Sequence, residues 1–302
     1  MRVPPAFARI CSYTWLALAV AGCSASSDGP NGTPALTNSI AFVSDRSGSS
    51  QIHVMNGDGT VISQLTTIDG VKSWPAISPS GRTIAFTVGD TTVEGNDNIY
   101  VVNSDGTQLK QLTMTAGANR KPTWSSDGRQ IAFSGTMNGK LDIYVMNADG
   151  SGQTNITNNV SFDFDAAWQP NSNRILFVSN AFDPGTSLER IISMTSTGDS
   201  LVPLVYGAQP EWSPSGTKFL FKTATDTWIS MTADGSSTRL LVSDSARHFT
   251  PTWSPDETKL AFSRVANSRE EIWTMSAADG GDEHRLTSDD QGNNSYPTWT
   301  RH

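Results

Sequence analysis

One short motif recurs along the chain and limits its fold more than any other feature. Ile40-Ala41-Phe42 returns as Ile84-Ala85-Phe86, Ile131-Ala132-Phe133, Ile175-Leu176-Phe177, Phe219-Leu220-Phe221 and Leu260-Ala261-Phe262, at spacings of 44, 47, 44, 44 and 41 residues. A period of this size means that one supersecondary unit is repeated, each copy burying its apolar face against the next. Three further elements travel with the motif. Pro122-Thr123-Trp124, Pro210-Glu211-Trp212 and Pro251-Thr252-Trp253 precede it by nine residues, with Pro75-Ala76-Ile77 and Ala167-Trp168 as looser copies. Ile52-His53-Val54-Met55-Asn56, Ile99-Tyr100-Val101-Val102-Asn103, Ile143-Tyr144-Val145-Met146-Asn147 and Ile272-Trp273-Thr274-Met275-Ser276 follow it. Gln64-Leu65-Thr66, Gln111-Leu112-Thr113, Asn155-Ile156-Thr157 and Arg285-Leu286-Thr287 end the unit.

Each element is a short run of β-branched, aromatic or aliphatic residues. Asp58-Gly59, Asp105-Gly106, Asp149-Gly150, Asp234-Gly235 and Asp279-Gly280 lie between them. Asp-Gly between two such runs signals a hairpin, because glycine takes the positive φ that the turn requires. Four short strands per unit of about 44 residues is the arithmetic of a propeller blade. The expected fold is therefore all-β, a six-bladed β-propeller of four-stranded blades. The first unit lacks a Pro-x-Trp strand, and Pro297-Thr298-Trp299 stands at the far end with nothing to follow it. These halves complete one another, so the C-terminal strand should become the inner strand of the N-terminal blade. Such closure removes open sheet edges. The Trp of each unit is expected to pack between blades, and the Pro to begin its strand, where no amide donor is missed.

Ahead of the repeats, Arg2 and Arg9 precede the apolar run Trp15-Leu16-Ala17-Leu18-Ala19-Val20-Ala21. The run is too short to span a bilayer and reads as a signal peptide. Val20-Ala21-Gly22-Cys23 resembles the bacterial lipobox, which implies cleavage before Cys23 and its lipidation. Ser24 in the next position implies, in the Gram-negative pattern, transport to the outer membrane. The expected organisation is a signal peptide over 1–22, a flexible, breaker-rich tether over 23–37, and the propeller over 38–302. Cys11 is lost with the signal, so Cys23 is the sole cysteine of the mature chain. That leaves no intrachain disulfide and no cysteine zinc site. The full chain carries a net charge of −8, with 36% hydrophobic residues, nine Trp and twelve Phe. Such a composition supports a large core, and the acidic balance argues against a nucleic-acid partner.

The succession Pro-x-Trp-Ser-Pro-Asp/Ser-Gly, Ile-Ala-Phe, Ile-Tyr-Val-Met-Asn-x-Asp-Gly and x-Leu-Thr resembles the WD40-like repeat of TolB-type propellers. The resemblance covers nearly all of residues 38 to 302. TolB-type proteins carry an α/β domain before the propeller, and here only the lipobox and tether stand in that place. The resemblance also extends to propeller domains of serine peptidases and polysaccharide lyases, which need further catalytic parts.

The chain contains no Gly-x-Ser-x-Gly elbow, no phosphate loop and no His-Glu-x-x-His pair, so the common hydrolase, nucleotide and zinc-protease chemistries have no seat. Its four histidines, His53, His248, His284 and His302, fall at dissimilar repeat positions. The informative residues are those just before each Pro-x-Trp element, expected as loops around the channel on one face. The candidate binding residues there are Lys72, Trp74, Arg120, Lys121, Asp163, Asp165, Gln209, His248, Phe249, Asn294 and Tyr296. Aromatics and Arg are the side chains that anchor interfaces. Asp163 and Asp165 are also candidate ligands for a cation in the channel; no other cofactor is expected. The acidic insertion over 90–97 should form a solvated loop.

The sequence thus points to a monomeric, lipid-anchored, non-enzymatic binding or scaffold protein of the cell envelope, facing the periplasm or cell surface. Its ligand would be a protein, peptide or glycan at the channel mouth. The alternative is a metal-dependent polysaccharide lyase or hydrolase using the same channel.

Overall fold

A computed structural model describes residues 32–93, 95–115, 117–180, 188–223, 225, 228–242, 248–266, 268–288 and 292–301. Cys23, the signal sequence and the tether before residue 32 lie outside the described residues. Along the chain the strands are β1 (Ser39–Ser44), β2 (Gln51–Asn56), β3 (Ser63–Gln64), β4 (Val71–Ile77), β5 (Thr83–Gly89), β6 (Asp97–Asn103), β7 (Lys110–Gln111), β8 (Asn119–Trp124), β9 (Gln130–Gly135), β10 (Asp142–Asn147), β11 (Thr154–Asn155) and β12 (Asp163–Trp168). They continue as β13 (Arg174–Ser179), β14 (Arg190–Thr195), β15 (Val202–Tyr206), β16 (Ala208–Trp212), β17 (Lys218–Lys222), β18 (Trp228–Thr232), β19 (Thr238–Val242), β20 (His248–Trp253), β21 (Lys259–Ala266), β22 (Arg269–Ser276), β23 (His284–Arg285) and β24 (Asn294–Trp299).

They form six antiparallel four-stranded sheets, and the described residues contain no helix. Blade 1 has the order β24-β1-β2-β3, and blades 2 to 6 take the remaining strands four at a time. The C-terminal strand thus closes the ring as expected. Ile40 pairs with Trp299 and Ser44 with Asn294. Trp299 Nε1 donates to Asn38 Oδ1 at 3.0 Å, and the Thr300 amide donates to Ser39 O at 2.9 Å. This alternation puts the start of every inner strand on one face, here called the mouth face. The turns after the inner strands, and the Asp-Gly turns, fall on the opposite base face.

The core lies in the seams between blades. Ile84 and Phe86 of blade 2 pack with Ala41, Ile52 and Val54 of blade 1. Trp124, Phe133 and Tyr144 pack with Ala85 and Ile99. The pattern repeats until Ile40, Phe42 and Trp299 meet Ala261 and Ile272 of blade 6. Trp124, Trp168, Trp212, Trp253 and Trp299 are all buried, as expected of inter-blade residues. The Asp-Gly pairs are turns, with φ of 85°, 81° and 91° at Gly59, Gly106 and Gly150. Asp58, Asp105 and Asp149 each accept bonds from the hydroxyl and amide of the residue two positions on.

The Thr of each x-Leu-Thr element is a clasp. Thr66, Thr113, Thr157 and Thr287 accept the amides of Ile52, Ile99, Ile143 and Ile272 at 2.9–3.0 Å. Thr113 also donates to Asn98 Oδ1 at 3.0 Å. Where the clasp is present, the outer strand needs only the two residues of β3, β7, β11 and β23. Blades 4 and 5 carry Tyr206 and Val242 in its place, and there β15 and β19 extend to five residues. Ladder hydrogen bonds take over the task of the side chain.

One expected boundary shifts. Residues 33–37, assigned to the flexible tether, are docked on the base of blade 2. Leu36 N–H donates to Gly81 O at 2.8 Å, Arg82 Nε to Thr33 O at 3.1 Å, and Ser104 Oγ to Pro34 O. Leu36 also packs against the seam between blades 1 and 2. A Cβ on Gly81 would lie 2.4 Å from Leu36 O, and its φ is +67°. Breaker-rich composition identifies a segment without periodicity, but not one held by its neighbours.

Replacing Thr113 by Val should cost about 1–3 kcal/mol, because the Ile99 amide loses its buried acceptor. Urea unfolding measures this, and a shift within about 0.5 kcal/mol would show the outer strand to be held by other contacts.

Candidate functional site

Every inner strand carries a bulge around the position that holds Pro in five of the six strands and Ala166 in β12. The register shifts between Ser73 and Ala76, Arg120 and Thr123, Phe164 and Ala167, Ala208 and Glu211, and Phe249 and Thr252, with the equivalent break opposite β24. In each bulge one non-glycine residue adopts a left-handed conformation. These are Trp74 (φ 48°), Lys121 (φ 53°), Asp165 (φ 57°), Gln209 (φ 54°), Thr250 (φ 48°) and Tyr296 (φ 51°). This conformation costs an L-residue roughly 1–2 kcal/mol. The bulge amides of Lys121 and Asp165 are satisfied across the seam by Thr87 Oγ1 and Ser134 Oγ, both at 3.1 Å.

This geometry corrects the sequence reading in two ways. The residues before Pro-x-Trp are strand rather than loop, and Pro falls inside the strand instead of beginning it. A bulge residue has no ladder partner, so Pro loses no bond there.

The six left-handed side chains line the mouth of an axial channel of about 190 Å³. Trp74 and Tyr296 meet at 5.3 Å between ring centroids. On the next two blades round the ring, Lys121 Nζ lies 3.1 Å from Asp165 Oδ2. Two residues further down each strand, Ala76, Thr123, Glu211, Thr252 and Thr298 form a second ring. Arg301 crosses the base from blade 1. Its guanidinium donates to Glu211 Oε1 at 3.3 Å and reaches Trp168 O at 3.5 Å, on the far side. The channel is therefore a cup with an ion pair in its floor. Burial pushes the Glu211 carboxyl up, and the Arg301 and Lys121 charges pull it partly back. Burial also raises Tyr296, helped by the charge of Glu270.

The structure divides the eleven expected binding residues. Trp74, Lys121, Asp165, Gln209 and Tyr296 meet in the cup. Asp163, His248 and Asn294 begin their strands and Lys72 stands second in β4, all with buried side chains. They brace the blades. Asn294 Nδ2 donates to Gly292 O at 3.2 Å, Asp163 accepts from Ser179 Oγ and Asn159 Nδ2, and His248 Nε2 lies 3.1 Å from Glu283 Oε1. Arg120 pairs with Asp97. Phe249 is exposed on the mouth face and does not line the cup. Asp163 and Asp165, the cation candidates, are separated by this division, each engaged by protein partners. Among the described residues, no three His, Cys, Asp or Glu side chains gather as a metal site.

Thr250, Glu211 and Arg301 complete the cup and were missed. Thr250 becomes visible when the units are aligned on Pro251, one residue past the segment chosen. Glu211 is the x of Pro-x-Trp, and period-2 alternation turns x away from the Trp side, toward the axis. No sequence signal marks Arg301.

Lys72 is 1% exposed, its ammonium held by the carbonyls of Ile68, Asp69 and Gly70. Burial brings it down to about 8, against a partial rise from Asp69. An unfolded chain releases that proton near about 10.4. Between these values the unfolded state binds more protons, so stability should rise with pH from about 8 to about 10.4. Lys72→Met should remove that rise in urea titrations at stepped pH. An unchanged slope would show that the carbonyls hold the charge at full strength.

Residues 94–302 match the family model of the TolB beta propeller domain. No curated protein matches the chain. Among solved structures, TolB from Acinetobacter baumannii superposes with a TM-score of 0.74 at 20% identity, over 89% of this chain and 68% of that one. A chain of a nidogen/laminin complex gives 0.70 at 12% identity, over 87% and 98%. An oligogalacturonate lyase in complex with manganese gives 0.54 at 10% identity, over 78% and 85%. At these identities the likenesses carry the fold alone. The family match spans more than half of the chain, and with the six closed blades it makes this protein a member of the TolB β-propeller family.

Proposed function

We propose that this protein is a monomeric binding module of the cell envelope, anchored by lipid on Cys23, which recognises a protein, peptide or glycan with its mouth face. The six left-handed positions carry this reading. Glycine would take the same backbone at no steric cost, yet each position holds a side chain, and all six differ. Strain retained at such positions points to function. The surrounding face fits a docking role. Met114, Val160 and Phe162 are 81%, 98% and 54% exposed there, beside Val71, Val93 and Phe249. Exposed apolar side chains rimming a polar site mark interaction surfaces. Family membership supports the binding reading, and the lipobox resemblance supports export and the outer membrane.

The lyase alternative draws on the manganese-bound neighbour of the same fold. It requires acids and histidines to converge on the axis. The cup holds Asp165 and Glu211, each ion-paired, and no histidine.

The test is capture from envelope extract by the full-length lipidated protein. Trp74→Ala, Lys121→Ala and Tyr296→Ala should each lose the captured partner at least tenfold. Gln209→Gly relieves backbone strain while emptying one ring position, so it should stay folded and still weaken capture. Undiminished capture by all four variants would refute the cup as the binding site. Depolymerisation of an acidic polysaccharide, abolished by Glu211→Gln, would establish the lyase instead. Cys23→Ser should release the protein from the membrane fraction and remove the acyl mass.

A further inference from the structure

We infer that the cup opens away from the membrane that carries the anchor, so its partner is presented across the aqueous space rather than by that membrane's own surface. This rests on the proposed lipidation of Cys23. The chain enters the propeller through residues 33–37, and every bond that docks them is on the base. Gly81 and Arg82 belong to the turn after β4, and Asn103 and Ser104 to the lower end of β6. The Asn38 carbonyl then accepts the Gly57 amide, in the base turn of blade 1. The entry point is therefore fixed on the face opposite the cup's opening.

Only eight residues, 24–31, separate Cys23 from Gly32. Fully stretched, those nine steps reach about 30 Å. A random coil of nine steps spans about 17 Å on average. Bringing the mouth to the same membrane requires the tether to cross the base to the rim. Thr33 already lies against the end of β6, so one strand spacing, about 5 Å, brings it to the rim. It must then climb the blade, whose seven-residue strands rise about 23 Å. The sum takes up nearly the whole of full extension before any loop height is added. The base, by contrast, can face the bilayer at well under that length. Asp58, Asp105, Asp149, Asp234 and Asp279 on that face are held low by hydroxyl and amide bonds.

The mature chain offers no free thiol once Cys23 is acylated, so single cysteines can be placed at will. Arg129→Cys labels the base and Val160→Cys the mouth face; both side chains are largely exposed. Lipidated full-length protein is reconstituted in vesicles whose headgroups carry an energy acceptor. Transfer from the Arg129 label should exceed that from the Val160 label several-fold. Lengthening the tether by about 30 Gly/Ser residues between Ser27 and Asp28 should erase the difference. Equal transfer, or stronger transfer from Val160, with the native tether would overturn the orientation. Failure of the anchor reading looks different: no acyl mass on Cys23, and no transfer from either label.

Discussion

Pairing between β1 and β24 is the constraint on which the rest of the molecule depends. Each blade buries one face against the blade before it and one against the blade after it. A ring of such units has no unpaired seam only if its ends meet. Here they meet through four backbone pairs, the Trp299 indole and the exchange between Ser39 and Thr300. The contacts joining the two ends lie some 260 residues apart in sequence. Loop-closure entropy is charged before such contacts form, so the last seam should form late and be the point from which the ring opens.

Within the closed ring, local devices finish what packing begins. Hydroxyls do much of this work. The Leu-Thr clasp ties each short outer strand to its neighbour, and Thr87 and Ser134 satisfy bulge amides across seams. A buried amide without a partner is costly, so these side chains allow outer strands two residues long and bulged inner ones. Where the clasp is missing, in blades 4 and 5, the backbone lengthens its ladder.

Blade number, strand order and closure were legible in the sequence because they follow from period and composition. The buried Phe and Trp of the seams sit where the motif copies place them. The site was only half legible. Five of the eleven chosen residues share the cup, since choosing residues beside each Pro finds the right stretch of strand. The choice fails by one residue at Phe249, because a loop tip and a bulge look alike when a Pro follows; residues before Pro are normally extended. Buried Lys72, Asp163, His248 and Asn294 read as polar mouth residues, because polarity alone does not show that a side chain turns inward to partners within the blade. Arg301 was invisible, since its partners stand 90 and 133 residues away.

The bulges have a consequence for how specificity is inherited. A residue in a regular ladder is tied to its neighbours by pairing and packing, so changing it disturbs the sheet. The six left-handed residues stand outside the ladders; Tyr296 packs its side chain against a core cluster, and the others meet the cup. Trp74 with Tyr296 and Lys121 with Asp165 are letters exchanged in pairs, while Gln209 and Thr250 stand singly. In a cup built this way, substitutions can change the lining with little disturbance of the ladders. A combinatorial library over these six positions would test recognition almost independently of architecture.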